Sequence, residues 1–199
     1  IYAQSHPVVY VDASAPTGGD GTSWGTAYKQ LRDVLPSVAS GSDIWIAAGT
    51  YKPSATNSKT TYFTITTKNL RIFGGFTGNE TSLQQRNLSS ANETILSGDY
   101  SGNDGAIYNS SAFSDNAYHV FVITDSNVTM DGLTIKGGNA RVSSSDQDSG
   151  GGIRAQTNSI LNINNCSVES NYAVSYGGGI YTFTGAKLNF SNSILQNNY

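Results

Sequence analysis

Apolar residues along this chain come in short bursts that alternate with polar ones. Ile44-Trp-Ile46, Leu70-Arg-Ile72, Val128-Thr-Met130, Leu133-Thr-Ile135, Leu161-Asn-Ile163 and Leu188-Asn-Phe190 all read in-out-in. Alternation with a period of two predicts short strands buried on one face. Only one stretch keeps helical spacing: Leu31, Val34, Leu35 and Val38 stand at i, i+3, i+4 and i+7. That places an apolar stripe on one short helix, with Pro36 set to break or kink it and Gly41 to end it. A leading strand is expected at Val8 to Val11.

The bursts repeat. Gly150 to Tyr172 aligns with Gly177 to Tyr199 at an offset of 27 residues, with ten of 23 pairs identical and no gap. Matched pairs include the glycine triplets, Ile153/Ile180, Leu161/Leu188, Asn165/Asn192 and Asn171/Asn198, while Ile163/Phe190 and Val168/Leu195 keep apolar character. A weaker copy over Val128 to Ile135 precedes these at an offset of 33, and the polar stretch Arg141 to Ser149 absorbs the six extra residues as a loop. A unit of this size carrying two or three short strands is one coil of a β-solenoid. The expected fold is therefore all-β: a right-handed parallel β-helix with an N-terminal capping strand and short amphipathic helix. Residues 1–42 form the cap and 43–199 the coils. These should continue past Tyr199, since the last coil would otherwise expose an apolar cross-section and an unpaired edge. Asn165 over Asn192 is expected to make a hydrogen-bonding ladder at a bend, and the four apolar pairs should stack at about 4.8 Å.

Composition narrows the partners. The chain has 199 residues, of which Ser, Thr, Asn and Gly supply 87, and a net charge of −3. The eleven basic residues are scattered, which argues against nucleic acid. No apolar run is long enough to span a membrane. One cysteine, Cys166, forbids an internal disulfide, and two distant histidines give no zinc site. Cys166 reads as a small buried side chain. Sparse charge and a Ser/Thr/Asn-rich surface point to export.

Certain motifs carry a resemblance. Tyr10-Val-Asp-Ala, Gly21-Thr-Ser-Trp24, Leu31-Arg-Asp-Val34, Ile44 to Tyr51, Gly74-Gly-Phe76 with Glu80-Thr-Ser-Leu83, and Ile95 to Asp99 resemble secreted right-handed parallel β-helix proteins of Bacteroidetes, which have a pectin-lyase-like fold. The Gly-Gly-Gly-Ile units, followed by Val168-Glu-Ser-Asn171 and Leu195-Gln-Asn-Asn198, are similar to the GGA[ILV] and FxxN repeats of chlamydial polymorphic outer-membrane proteins, with Val168 and Leu195 in place of the Phe. The first resemblance implies a secreted or cell-surface location and little assigned chemistry. It also implies a type IX sorting domain beyond Tyr199, and partners among cell-surface or secretion-machinery proteins, with gliding motility as one setting.

Candidate chemistry is thin. A β-elimination lyase needs acidic residues, calcium and a basic residue on one sheet, and Asp131 with Arg154 is the one plausible pairing. The plain reading puts Asp131 in a turn and Arg154 in solvent. Asp99, Asp104 and Asp115 crowd one loop that could hold calcium, or could be solvated turn formers. The same insertion carries Tyr100, Tyr108, Phe113 and Tyr118, either a sugar-stacking or docking surface or the packing of the loop on the solenoid wall. Tyr172 and Tyr199 suggest an aromatic stack, and Trp24 and Trp45 packing in the cap. No cofactor other than calcium is implied. The expected function is a non-catalytic adhesin or surface filament contacting polysaccharide, surfaces or proteins. The alternatives are a polysaccharide lyase or glycoside hydrolase with its site on later coils, and a passive spacer.

Overall fold

The computed structural model describes residues 6–105, 108–143 and 146–199. In chain order its strands are β1 (Val8–Val11), β2 (Asp43–Ala47), β3 (Gly49–Tyr51), β4 (Phe63–Thr66), β5 (Asn69–Phe76), β6 (Thr94–Ser97), β7 (Phe121–Thr124), β8 (Asn127–Asp131), β9 (Thr134–Lys136), β10 (Asn139–Ala140), β11 (Ile153–Ala155), β12 (Ile160–Asn164), β13 (Ser167–Glu169), β14 (Tyr172–Ala173), β15 (Ile180–Thr182), β16 (Lys187–Ser191) and β17 (Ile194–Gln196). Among the described residues there is one α-helix, α1 (Leu31–Val34), which lies between β1 and β2 after a 3-10 turn at Trp24–Thr26. Every strand pairing is parallel.

Three walls result. The first runs β1-β2-β5-β8-β12-β16, the second β3-β6-β9-β13-β17 and the third β4-β7-β11-β15, with β10-β14 as a short fourth pairing. The chain visits first, second and third wall in turn and then begins the next coil, which is a parallel β-helix.

The register confirms the repeat residue by residue. Ile153 pairs with Ile180, Leu161 with Leu188, Ile163 with Phe190 and Val168 with Leu195, all at the offset of 27. The offset of 33 also holds, with Val128 opposite Leu161, Met130 opposite Ile163 and Ile135 opposite Val168. These inward columns form one apolar core that includes Leu31, Val34, Leu35 and Val38. The helix is a single turn because Pro36 has no N–H to continue it. Leu188, Phe190 and Leu195 extend the same columns and are 38–48% exposed.

The corners explain the Asn and Gly content. Each coil turns on single residues in the left-handed region, and these stack in columns. Thr67, Asp125, Asn158 and Gly185 form one, with φ between 47° and 84°; Gly132, Asn165 and Asn192 form another, between 46° and 73°. Gly137, Ser170 and Asn197 form a third. Asn, Asp and Gly tolerate this conformation best. The glycine triplets serve two needs, of which the sequence suggested one. Gly150 and Gly177 have positive φ, whereas a Cβ at Gly151 or Gly178 would collide with the carbonyl oxygen of Tyr172 or Tyr199.

The expected Asn165–Asn192 ladder does not form. Asn165 instead donates its amide to Asp131 Oδ1 at 3.0 Å, because both bend residues share the left-handed turn and their side chains lean outward. The amide ladders sit elsewhere. On the outside, Asn189 donates to Asn162 at 2.8 Å and Asn162 to Asn127 at 3.2 Å. Inside, the fully buried Asn171 donates to the Ile135 and Glu169 carbonyls and to Asn198 Oδ1, and accepts from the Gly138 N–H. One side chain thus binds three successive coils, which accounts for the x-x-Asn spacing after Val168 and Leu195.

Leu161 is closed off between Val128 and Leu188. Leu161→Asp is expected to cost more than about 4 kcal/mol in denaturant unfolding, as an unpaired charge in an apolar column. Glu169→Gln should stay within about 0.5 kcal/mol, since Gln196 already occupies that place one coil on. At the bend, Asn192→Val should cost about 1–2 kcal/mol and Asn192→Gly almost nothing.

Candidate functional site

The outer face of the second wall presents columns one coil apart. Ser97, Lys136, Glu169 and Gln196 form one of them, in register. The segment that follows β6 folds over this face and leaves a groove of about 310 Å³, lined by Lys52, Ser97, Asp99, Asp104, Lys136 and Glu169 among others. Lys52 is tied down, its Nζ donating to the Tyr100 carbonyl at 2.8 Å. Glu169 accepts from Ser167 Oγ and Gln196 Nε2, both at 2.7 Å.

Each of the three aspartates expected to hold calcium accepts at least one hydrogen bond from the loop itself. Asp99 accepts from the N–H groups of Gly102 and Asp104, and Asp115 from that of Ser101. Asp104 Oδ2 accepts from Asn116 Nδ2 at 2.6 Å. Among the described residues no group of three His, Cys, Asp or Glu is placed to hold a metal ion. Asp104 differs from its neighbours in one respect: its Oδ1 is shielded from solvent and has no hydrogen-bond partner. Burial, aided by the Asp99 and Asp115 charges and opposed by Asn116 and Lys136, pushes its carboxyl up to about 6.

The four aromatics of the insertion do not form one exposed surface. Phe113 is fully buried, and Tyr100 nearly so, with its hydroxyl donating to the Ser58 carbonyl at 2.9 Å and its phenol pushed by burial up to about 12. Tyr118 is half-buried. Tyr108 packs edge-on to Phe113 and stacks on Tyr172 with centroids 4.0 Å apart. Tyr199 lies 6.3 Å from Tyr108. The rings of Tyr172 and Tyr199, expected to stack on each other, instead each meet Tyr108 from the insertion. These contacts clamp the segment to the wall and so hold the groove open.

Asp131 and Arg154 are not neighbours in function. Asp131 ends β8 on the first wall and pairs with Arg86 at 2.8 Å. Arg154 belongs to β11 on the third wall, pairs with Asp146 at 2.9 Å and lies 4.6 Å from the centre of the Phe183 ring. The expectation that Arg154 stands in solvent fails, since it is 2% exposed. It does point outward, but Asp146 and the Phe183 ring cover it. Cys166 is buried as expected, its thiol donating to the Asn164 carbonyl and pushed by burial up to about 12. Trp24 and Trp45 pack with Tyr10 and Phe76 on the outside of the first wall, Trp24 also donating to the Glu80 carbonyl.

Sequence reasoning missed Lys52, Lys136 and Glu169 as a group. Lys136 and Glu169 stand 33 residues apart, the repeat offset, so reading outward positions down the coils would have joined them. Nothing in the sequence places Asp104 against them. No family model, curated protein or solved structure matches this chain.

The Asp104 environment has a consequence for stability. Between the ordinary value of 3.8 and about 6, the folded chain keeps this proton and the unfolded chain releases it, so the group's contribution falls as pH rises through that window. Asp104→Asn removes the effect. Its melting temperature relative to wild type should be higher at pH 7 than at pH 4; an equal difference at both pH values would contradict the assignment.

Proposed function

We propose that this chain is a non-catalytic β-helical part of an exported cell-surface protein, an adhesin or surface filament, that contacts polysaccharide through the groove on its second wall. The observation that carries this reading is the groove itself, about 310 Å³ and lined by the polar side chains of Ser97, Asp104, Lys136 and Glu169. Acceptors and donors side by side in one groove match sugar hydroxyls, which both donate and accept hydrogen bonds. Export, type IX secretion and a surface location rest on the sequence resemblance and the polar, charge-poor composition.

One observation favours a second reading, a glycoside hydrolase. A carboxyl titrating at about 6 lies in the range of a general acid, and Glu169 shares its groove. A passive spacer is the third reading, and it binds nothing.

A polysaccharide panel separates the three. Under the first reading the chain retains at least one glycan without releasing reducing ends, and Asp104→Asn and Lys136→Ala each weaken retention about tenfold. Release of reducing ends that Asp104→Asn abolishes would establish the hydrolase. Undiminished retention by both variants would remove the groove from the account.

A further inference from the structure

The third wall begins one coil later than the first. On the first wall β1 precedes β2, but on the third the series starts at β4, and the chain between β1 and β2 supplies the single turn α1 and no third-wall strand. Among the described residues β4 is therefore an edge strand. The N–H groups of Phe63 and Thr67 donate to the Val120 and Thr124 carbonyls, on the side of β7. With a period of two, the N–H and C=O groups of Thr64 and Thr66 face the other way. That side opens into a groove of about 470 Å³ between α1 and β4, lined by Arg32, Leu35, Pro36, Pro53 and Lys68 as well as the two threonines. Both threonine side chains are exposed.

We propose that this slot takes an extended, acidic peptide segment of a partner protein, which adds to the third wall as the strand that α1 leaves out. The backbone supplies the first half of the recognition. Thr64 and Thr66 turn two N–H and two C=O groups to this edge, the Thr66 carbonyl also accepting from Thr67 Oγ1 at 2.8 Å, and sheet edges bind peptides by completing the ladder. Leu35 and the prolines give the inward side chains of the added strand an apolar floor. Charge supplies the second half. Lys68 Nζ is held by the Leu35 and Pro36 carbonyls, and the Arg32 guanidinium by the Lys52 carbonyl and Gln30. Among the described residues the one carboxylate within ion-pair distance of either is Asp33, at 3.9 Å from Arg32. A peptide with acidic ends finds opposite charge at both. A second copy of this chain, pairing edge to edge, would bring Arg32 and Lys68 against their own counterparts, and like charges across a strand pair are destabilising. The slot is on a different wall from the polysaccharide groove and stands whether or not that groove binds sugar.

The test uses a fluorescent five-residue peptide of alternating valine and threonine with a glutamate at each end, and a control peptide with lysine ends. Fluorescence anisotropy should show the acidic peptide binding and the lysine-ended one at least about tenfold weaker, with affinity falling as salt rises. Thr64→Pro removes an N–H that the sheet does not use, at an edge where proline is tolerated, and should weaken binding at least about tenfold. Arg32→Glu with Lys68→Glu should reverse the preference between the two peptides. Amide exchange on the unaltered chain decides the matter if Thr64→Pro does not fold. Adding the acidic peptide should slow exchange at Thr64 and Thr66 while leaving Phe63 unchanged. Absence of binding at millimolar peptide, binding that leaves the Thr64 and Thr66 amides unprotected, equal binding by Thr64→Pro, or concentration-dependent dimers that protect the same amides would each overturn the proposal.

Discussion

The constraint on which the molecule depends is the constant register between coils. A strand in a parallel stack has no hairpin partner, so its N–H and C=O groups are satisfied by the coils on either side. Each inward side chain then meets its own counterpart one coil away, as Leu161 meets Val128 and Leu188. A slip of one residue would turn every apolar column outward. The corners enforce this register, since each must turn at the same position in every coil. Residues that accept left-handed geometry stack there, and the buried Asn171 ties the turn to the coils before and after it.

This regularity separates two kinds of position. Inward columns are fixed by stacking, and changing one member strains its neighbours above and below. Outward columns and inter-coil excursions carry no such duty, so the chain can present Lys136 and Glu169 at coil spacing and fold a loop over them. Buried Tyr100 and Phe113 anchor that loop, which lets polar groups such as Asp104 hold a fixed place beside the wall. Rigid scaffold and excursion together form the groove, as they do wherever loops on a stiff frame carry binding residues.

Legibility in the sequence follows the same division. The offsets of 27 and 33, the inward pairs and the existence of one short helix were readable, because each follows from a period or a local backbone rule; that the helix stops at Val34 instead of reaching Gly41 is the stronger of the two effects foreseen for Pro36. What was not readable lies between coils. Asp131 bonding Arg86, Arg154 covered by Asp146 and Phe183, and Tyr108 stacking on Tyr172 join residues whose separations share no period. The Asn165–Asn192 expectation failed because the two residues stack through their backbones while their side chains lean away. Asp104 reads as one more turn former in a polar loop; its raised pKa comes from the wall the loop folds onto.

Methyl-resolved NMR tests the register most directly. Contacts between the methyl groups of Ile153 and Ile180, of Leu161 and Leu188, and of Val168 and Leu195 should all appear, since these residues are cross-strand partners on three different walls at one offset. Contacts at offsets that change along each strand, with successive residues meeting partners in decreasing order, would mean antiparallel pairing and would contradict the coil stack.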